Sequence, residues 1–184
     1  MQNLAAVSKK WKLDTNHSLL SFKIKHLGLA WISGAFQEYE GTVEVEDFLK
    51  FEEAKISLRI EVDSLNSGND MRDNHLKTEE FFDSLLYPSI IFNSTSIKKQ
   101  EANIYQILGE LTLKDVTKEV QFSAEIVGST VDMWGNHVVV LRVVGSLNRQ
   151  DFGIAWHHIL DGGLPVIGEE VNFDMNIELI PGED

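Results

Sequence analysis

The feature of this 184-residue chain that most limits its fold is a two-residue rhythm. Successive side chains of a strand point to opposite faces, so apolar residues two apart line one face and the residues between them line the other. Leu20, Phe22 and Ile24 alternate with Ser21, Lys23 and Lys25, and Ile56, Leu58, Ile60 and Val62 alternate with Lys55, Ser57, Arg59 and Glu61. The pattern returns at Val120, Phe122, Ala124 and Ile126, and again at Val171, Phe173, Met175, Ile177 and Leu179. With segments 30–46, 89–97, 104–113 and 138–147, about eight strands are expected. Strands with one dry face each, and no helix between most of them, predict an all-β antiparallel sheet that closes on itself, because closure removes exposed edges. Gly28, Gly34, Gly41, Gly109 and Gly145 fall in or beside these strands, where bulges or bends would let the sheet curl.

Residues 69–86 break the rhythm. They are rich in helix formers, with Asn69 or Asp70 placed to cap a first short helix and Thr78 a second, the latter with Glu79 and Glu80 in its first turn. Tyr87-Pro88 ends the segment, since the residue before proline is driven out of the α region. Residues 149–168 show no period and contain Gly162, Gly163 and Pro165, which predicts a long loop at one end of the barrel. Residues 1–10 are expected to be an N-terminal extension, and 11–184 a single domain.

Charge narrows the partners. A formal net charge of -13, with no basic stripe, excludes phosphate-neutralising nucleic-acid contacts and disfavours rest on an anionic bilayer. The absence of cysteine removes disulfides, thiolate ligands and thiol nucleophiles. No apolar run approaches the roughly 20 residues of a membrane-spanning helix. Residues 1–10 place lysines after, not before, a short apolar run, unlike an export signal; the expectation is a cytoplasmic protein as written, or a periplasmic one if a signal has been removed. A homodimer is compatible with the sequence, but no residue marks its interface.

Four blocks in order give the chain a specific resemblance. They are His17-Ser18 with Phe22-x-Ile24-x-His26-x-Gly28; Arg72-Asp73-x-His75-Leu76 through Phe81-Phe82-Asp83 to Tyr87-Pro88; Gly109-x-Leu111-Thr112-Leu113 with Val116-Thr117-Lys118; and Asn148-Arg149-x-Asp151-Phe152-Gly153 with Gly168-Glu169-Glu170-Val171. From Trp11 onward the chain resembles the YceI-like family. That resemblance implies an extended eight-stranded antiparallel lipocalin-like β-barrel, with the short helical insertion at about residues 69–86, that binds a polyisoprenoid or similar amphiphilic lipid. Two departures stand out: Asp115 occupies a turn position where the family pattern has glycine, and Trp156-His157-His158 replaces a more polar stretch.

The candidate ligand-binding residues are Phe22, Ile24, His26, Phe36, Phe92, Leu111, Leu113, Phe122, Leu141, Phe173 and Met175 inside the barrel, with Phe152 and Trp156 at its mouth. A lipid tail asks only for apolar surface, whose burial gains about 25 cal/mol per Å². The same residues would serve equally well as plain core. No cofactor is expected, unless a bound isoprenoid lipid or quinone counts as one. The six histidines lack metal-ligand spacing. His17-Ser18 cannot form a nucleophile–base pair if adjacent strand residues diverge, and Ser18 is expected to bond locally in a turn opened by Asp14, Thr15 and Asn16. His75 could pair with Glu79 one helical turn on. Two other readings stand beside the lipid carrier: an enzyme acting on a small amphiphile through Asp151, His157 and His158, and a filled barrel serving as an interaction module.

Overall fold

The structure, a computed structural model, describes residues 9–182; all of the expected N-terminal extension except Lys9 and Lys10 lies outside the described residues. Lys10 already belongs to the first strand, so the barrel begins one residue before the expected boundary. Eleven strand segments form eight staves. β1 (Lys10–Leu13) and β2 (Leu20–His26) are halves of one bent stave, as are β3 (Ala30–Phe36) and β4 (Tyr39–Glu44), and β5 (Lys55–Glu61) and β6 (Leu65–Asn66). The other five are β7 (Ser89–Lys99), β8 (Ile104–Leu113), β9 (Val116–Val131), β10 (His137–Asn148) and β11 (Ile167–Pro181).

Each stave pairs antiparallel with the next, and the last returns to the first. β11 pairs with β10 along one edge and with both halves of the first stave along the other, through Leu13↔Leu179, the bridge Leu19↔Asn176 and Phe22↔Phe173. The result is the expected closed eight-stranded antiparallel barrel.

The bend between β1 and β2 would leave β11 short of ladder partners, and Ser18 repairs the gap. Its Oγ accepts from the Glu178 backbone N–H at 2.9 Å and donates to the Glu178 carbonyl at 3.3 Å. The expected local bond is made by the Ser18 backbone N–H, which donates to the Asp14 carbonyl at 2.9 Å, while the hydroxyl spans the barrel seam. His17 is held at this bend by Asp14, with Nδ1 2.9 Å from the carboxylate.

One end of the barrel is plugged. A 3₁₀ turn, Phe48–Glu53, capped by the Asp47 side chain accepting from the Leu49 N–H, carries Phe48 and Phe51 across the opening. Phe48 meets Trp11 edge-on at 5.1 Å, and Phe51 meets Tyr105 at the same distance. Phe51 and Trp11 are essentially without solvent contact.

The other end is covered differently. β6 does not pair with β7, and the connection between them crosses the opening. α1 (Asp70–Leu76) is capped as expected by Asn69, whose side chain accepts from the Arg72 N–H. The expected second helix is absent. Thr78 Oγ1 donates back to the His75 carbonyl instead of capping forward, and residues 78–86 form successive turns with Asp83 at φ 51°, a conformation no helix accommodates. His75 accordingly meets Glu80, not Glu79, at 2.6 Å. Asp115 is explained by the two-residue β8–β9 hairpin: the left-handed residue there is Lys114, at φ 56°, so Asp115 needs no glycine.

Gly28 occupies the tight β2–β3 turn at φ 70°, as expected of a bend, but most of the glycines inside strands have another role. Register shifts occur at Ser94/Ser96, at Val140/Leu141 and between Ile167 and Val171; of the five glycines expected at bulges or bends only Gly109 lies beside one of them, while Gly128 and Gly168 lie at the other two. Gly34, Gly109 and Gly145 each receive a phenylalanine ring. A Cβ at Gly145 would sit 2.5 Å from the Phe122 ring and one at Gly34 2.6 Å from Phe22, while one at Gly109 would collide with Phe92. The rings can lie close to the wall because there is no side chain beneath them.

Three outcomes follow from this architecture. Phe51→Ala, which empties the plug, should cost about 3–5 kcal/mol in denaturant titration, the range for truncating a buried phenylalanine. Gly145→Ala should cost about 1–3 kcal/mol by forcing the Phe122 ring off the wall. The hydrogen bond to Asp14 is the main cause that raises the His17 pKa, and the one to His17 lowers that of Asp14. The His17 contribution to stability is thus fully present below the ordinary histidine pKa of about 6.5 and fades as pH rises through the raised native value. An NMR titration of His17 should show a midpoint above the ordinary value that falls back in Asp14→Asn.

Candidate ligand-binding site

Between the plug and the turn-built cover the barrel interior is open. The cavity has a volume of about 410 Å³, within the 300–1,000 Å³ range of small-molecule pockets. Leu13, Val43, Ile107 and Leu179 line it, whereas Trp11, Phe48, Phe51 and Tyr105 of the plug do not and belong to the packed core.

The structure brings all thirteen sequence-derived candidates to this one cavity. β2 contributes Phe22, Ile24 and His26, and β3 contributes Phe36. Phe92 comes from β7, Leu111 and Leu113 from β8, Phe122 from β9 and Leu141 from β10. Phe173 and Met175 face inward from β11, while Phe152 and Trp156 stand at the mouth. Several of them, such as Leu141 and Phe152, are almost fully buried and are core and lining at once. The β10 strand, apolar on both faces in sequence, turns Leu141 and Val143 inward and carries Arg142 outward to a two-pronged pair with Asp174, both N···O distances 2.9 Å.

At the mouth, aromatic groups from two separate segments meet. Trp156, on the loop after β10, lies 5.4 Å from Phe81 and 5.9 Å from His75, both on the insertion. Phe82 reaches down to Phe36 at 6.3 Å. Asp73 anchors the insertion by accepting from the backbone N–H and hydroxyl of Ser67, while Arg72 donates to the Ser67 hydroxyl and carbonyl, each at 2.7 Å. Arg72 and Asp73 thus brace the insertion against the strand end.

Polar lining is sparse: Ser57, Ser67, Arg72, His26, His75 and Arg149. Sequence reading overlooks Arg149, because a charged side chain next to a strand is ordinarily placed outside. Here it is 4% exposed. Nε donates to the Gly168 carbonyl at 2.8 Å and Nη1 to the Ile154 carbonyl at 2.6 Å. Burial lowers the guanidinium pKa, and Glu169 opposes that shift. The signal available in sequence was its place in the Asn148–Gly153 block, which turns sharply through a 3₁₀ turn capped by the Asn148 side chain.

The residues of the enzyme reading are not assembled. Asp151 pairs with Lys118 at 3.1 Å, His157 and His158 are exposed, and among the described residues no hydrogen bond joins Asp151 to either. Among the described residues one trio of metal-ligating type converges, Asp14, His17 and Glu178. It lies at the β1–β2 bend, away from the cavity, and its closest contact is the His17–Asp14 ion pair. Among the described residues no helix is long and apolar enough to cross a membrane.

Comparison with known proteins agrees with this geometry. Residues 11–179 match the model of the YceI-like domain. A UPF0312 protein of Pectobacterium atrosepticum is 33% identical over 152 residues, covering 82% of this chain and 78% of that protein. Among solved structures, Burkholderia cenocepacia BcnA superposes with a TM-score of 0.79 at 21% identity, covering 90% of this chain and 98% of BcnA. A polyisoprenoid-binding domain from Saccharophagus degradans has a TM-score of 0.68 at 14% identity, covering 94% of this chain and 98% of that one. At such identities the two structures speak for the fold, whereas the match over residues 11–179 is decisive for descent: the chain belongs to the YceI-like family.

Proposed function

We propose that this protein binds and carries a polyisoprenoid or similar long-chain amphiphile, with the apolar tail inside the barrel. The observation that carries this reading is the cavity itself, closed at one end by aromatics and lined by apolar side chains from every stave. Such a wall gains from each Å² of hydrocarbon it removes from water and asks for no hydrogen bonds along the tail. A filled interaction module would have no use for a void of this size, since empty apolar volume weakens packing. The description of the Saccharophagus domain as polyisoprenoid-binding supports the same class of ligand.

Native mass spectrometry of freshly purified protein, before and after organic extraction, tests the proposal, together with titration by polyprenols and isoprenoid quinones. A retained mass in the lipid range that extraction removes, or saturable binding to the extracted protein, is the expected result. No copurifying lipid and no binding of either class would sink it.

A further inference from the structure

Leucines crowd the loops around the mouth. Leu29 tops the β2–β3 turn, at the end of a strand whose Ile24 and His26 line the cavity, and is 78% exposed. The 159–165 hairpin, closed by the Ile159–Pro165 bridge, lies beside that turn: the Leu27 N–H donates to the Val166 carbonyl, and Leu164 Cδ2 is 3.6 Å from where a Cβ on Gly28 would sit. It adds Ile159, Leu160 and Leu164, all exposed. Halfway round the barrel, in the turns of the cover, Leu85 and Leu86 are 93% and 71% exposed. A single exposed leucine is ordinary, but leucines gathered from separate segments round one opening mark an interaction surface.

Behind the leucines come aromatics with lysines. Trp31 stands two residues along β3 from Leu29, about 6.6 Å of strand rise, with Lys25 Nζ 4.3 Å and Lys23 Nζ 5.3 Å from its ring centroid. Tyr87 follows Leu86, and Lys114 of the β8–β9 turn has its Nζ 5.9 Å from the Tyr87 ring. On both sides of the mouth the order from the tip is leucine, aromatic, ammonium. A lipid surface has the matching order of hydrocarbon, the interfacial level where Trp and Tyr collect, and phosphates that long lysine side chains reach. Protein-docking patches are built differently, as an apolar centre inside a polar rim. Carboxylates share this rim, Glu79, Glu80 and Asp83 on the cover and Asp161 on the 159–165 hairpin. In a chain of net charge -13 they repel an anionic surface, whereas zwitterionic head groups offer both signs to a rim that carries both.

Resting on the carrier reading above for its cargo, we infer that the mouth docks on a zwitterionic lipid bilayer, with the leucine tips in the acyl boundary and Trp31 and Tyr87 at the head-group level. Apolar groups need only reach the upper part of the bilayer to hold a protein there reversibly. Docked in this way, the barrel exchanges its cargo with the bilayer without exposing the apolar tail to water.

The test is co-sedimentation of extracted protein with phosphatidylcholine vesicles, with and without phosphatidylglycerol. Wild-type protein should sediment with phosphatidylcholine, and added phosphatidylglycerol should weaken the binding. The double variant Leu29→Asp/Leu85→Asp changes two side chains already in water, so it should fold, and it should bind vesicles about tenfold or more weakly. Trp134→Asp, on an equally exposed tip of the β9–β10 hairpin at the plugged end, should bind as wild type does. Polyprenol titration without vesicles should be the same for all three proteins. No sedimentation of the wild type, full binding by the mouth variant, or a loss confined to Trp134→Asp would overturn the docking, and polyprenol binding in solution would then still uphold the carrier reading. Vesicle docking without any polyprenol binding would overturn the carrier reading and the exchange of cargo with it. Tighter binding to phosphatidylglycerol would overturn the zwitterionic assignment. A dimer in analytical ultracentrifugation that the mouth variant dissociates, with no vesicle binding, would give this face to a second copy of the chain instead.

Discussion

Everything in this molecule hangs on the seam where β11 meets the first stave. A sheet of this curl can enclose space only if its last strand finds its first, and here the joining residues are about 160 positions apart in sequence, as Ser18 and Glu178 are. The loop-closure entropy for so distant a pairing is offset only when the whole ladder forms together. The first stave bends at Asp14–Leu19, and β11 continues past the bend without interruption. A hydroxyl that both donates to and accepts from the Glu178 backbone keeps the ladder satisfied where β1 and β2 part. Without closure there would be two bare edges, and no inside.

Having an inside does not dictate a cavity. An eight-stranded barrel is near the size at which side chains fill the interior completely. Two features keep this one open. Trp11, Phe48, Phe51 and Tyr105 concentrate the bulk at one end, and glycines beneath Phe22, Phe92 and Phe122 let three large rings lie near the wall instead of projecting across the lumen. Packing density is thus distributed unevenly along the axis, dense below and void above. Bulk alone would have produced a solid core of the same composition.

The alternation of Leu20, Phe22 and Ile24, or of Val171 to Leu179, was enough to read the strands and their inward faces, because a period of two has a single geometric meaning. Where the sequence misled, the deciding contact was distant. Thr78 looks like a helix cap until its hydroxyl is seen bonded backward to His75, and Ser18 looks local until β11 is brought alongside. Gly34 and Gly145 read as sites of bending; their purpose depends on which ring lies across the strand from them, which no local pattern contains. Arg149 was hidden for a different reason. Charge ordinarily predicts exposure, and only the turn after β10 reverses that by carrying the guanidinium under the Phe152–Ile154 backbone.

The two ends of the barrel differ in kind as well as in density. The plug is bound on all sides by ladder strands and by residues with almost no solvent contact. The cover at the mouth consists of the 67–88 connection and the loop after β10, which are held by turns, by the Ser67 anchor and by the meeting of Trp156 with Phe81 and His75. Segments of this kind open at lower free energy than a continuous sheet, because few cooperative hydrogen bonds must break. Large apolar side chains also stand exposed on these segments and on the adjoining hairpin, among them Leu29, Leu85, Leu86 and Leu164. A passage to the interior that opens at the mouth would cost the least there, and it would lead past Trp156 into the cavity that Arg149 and His26 also line.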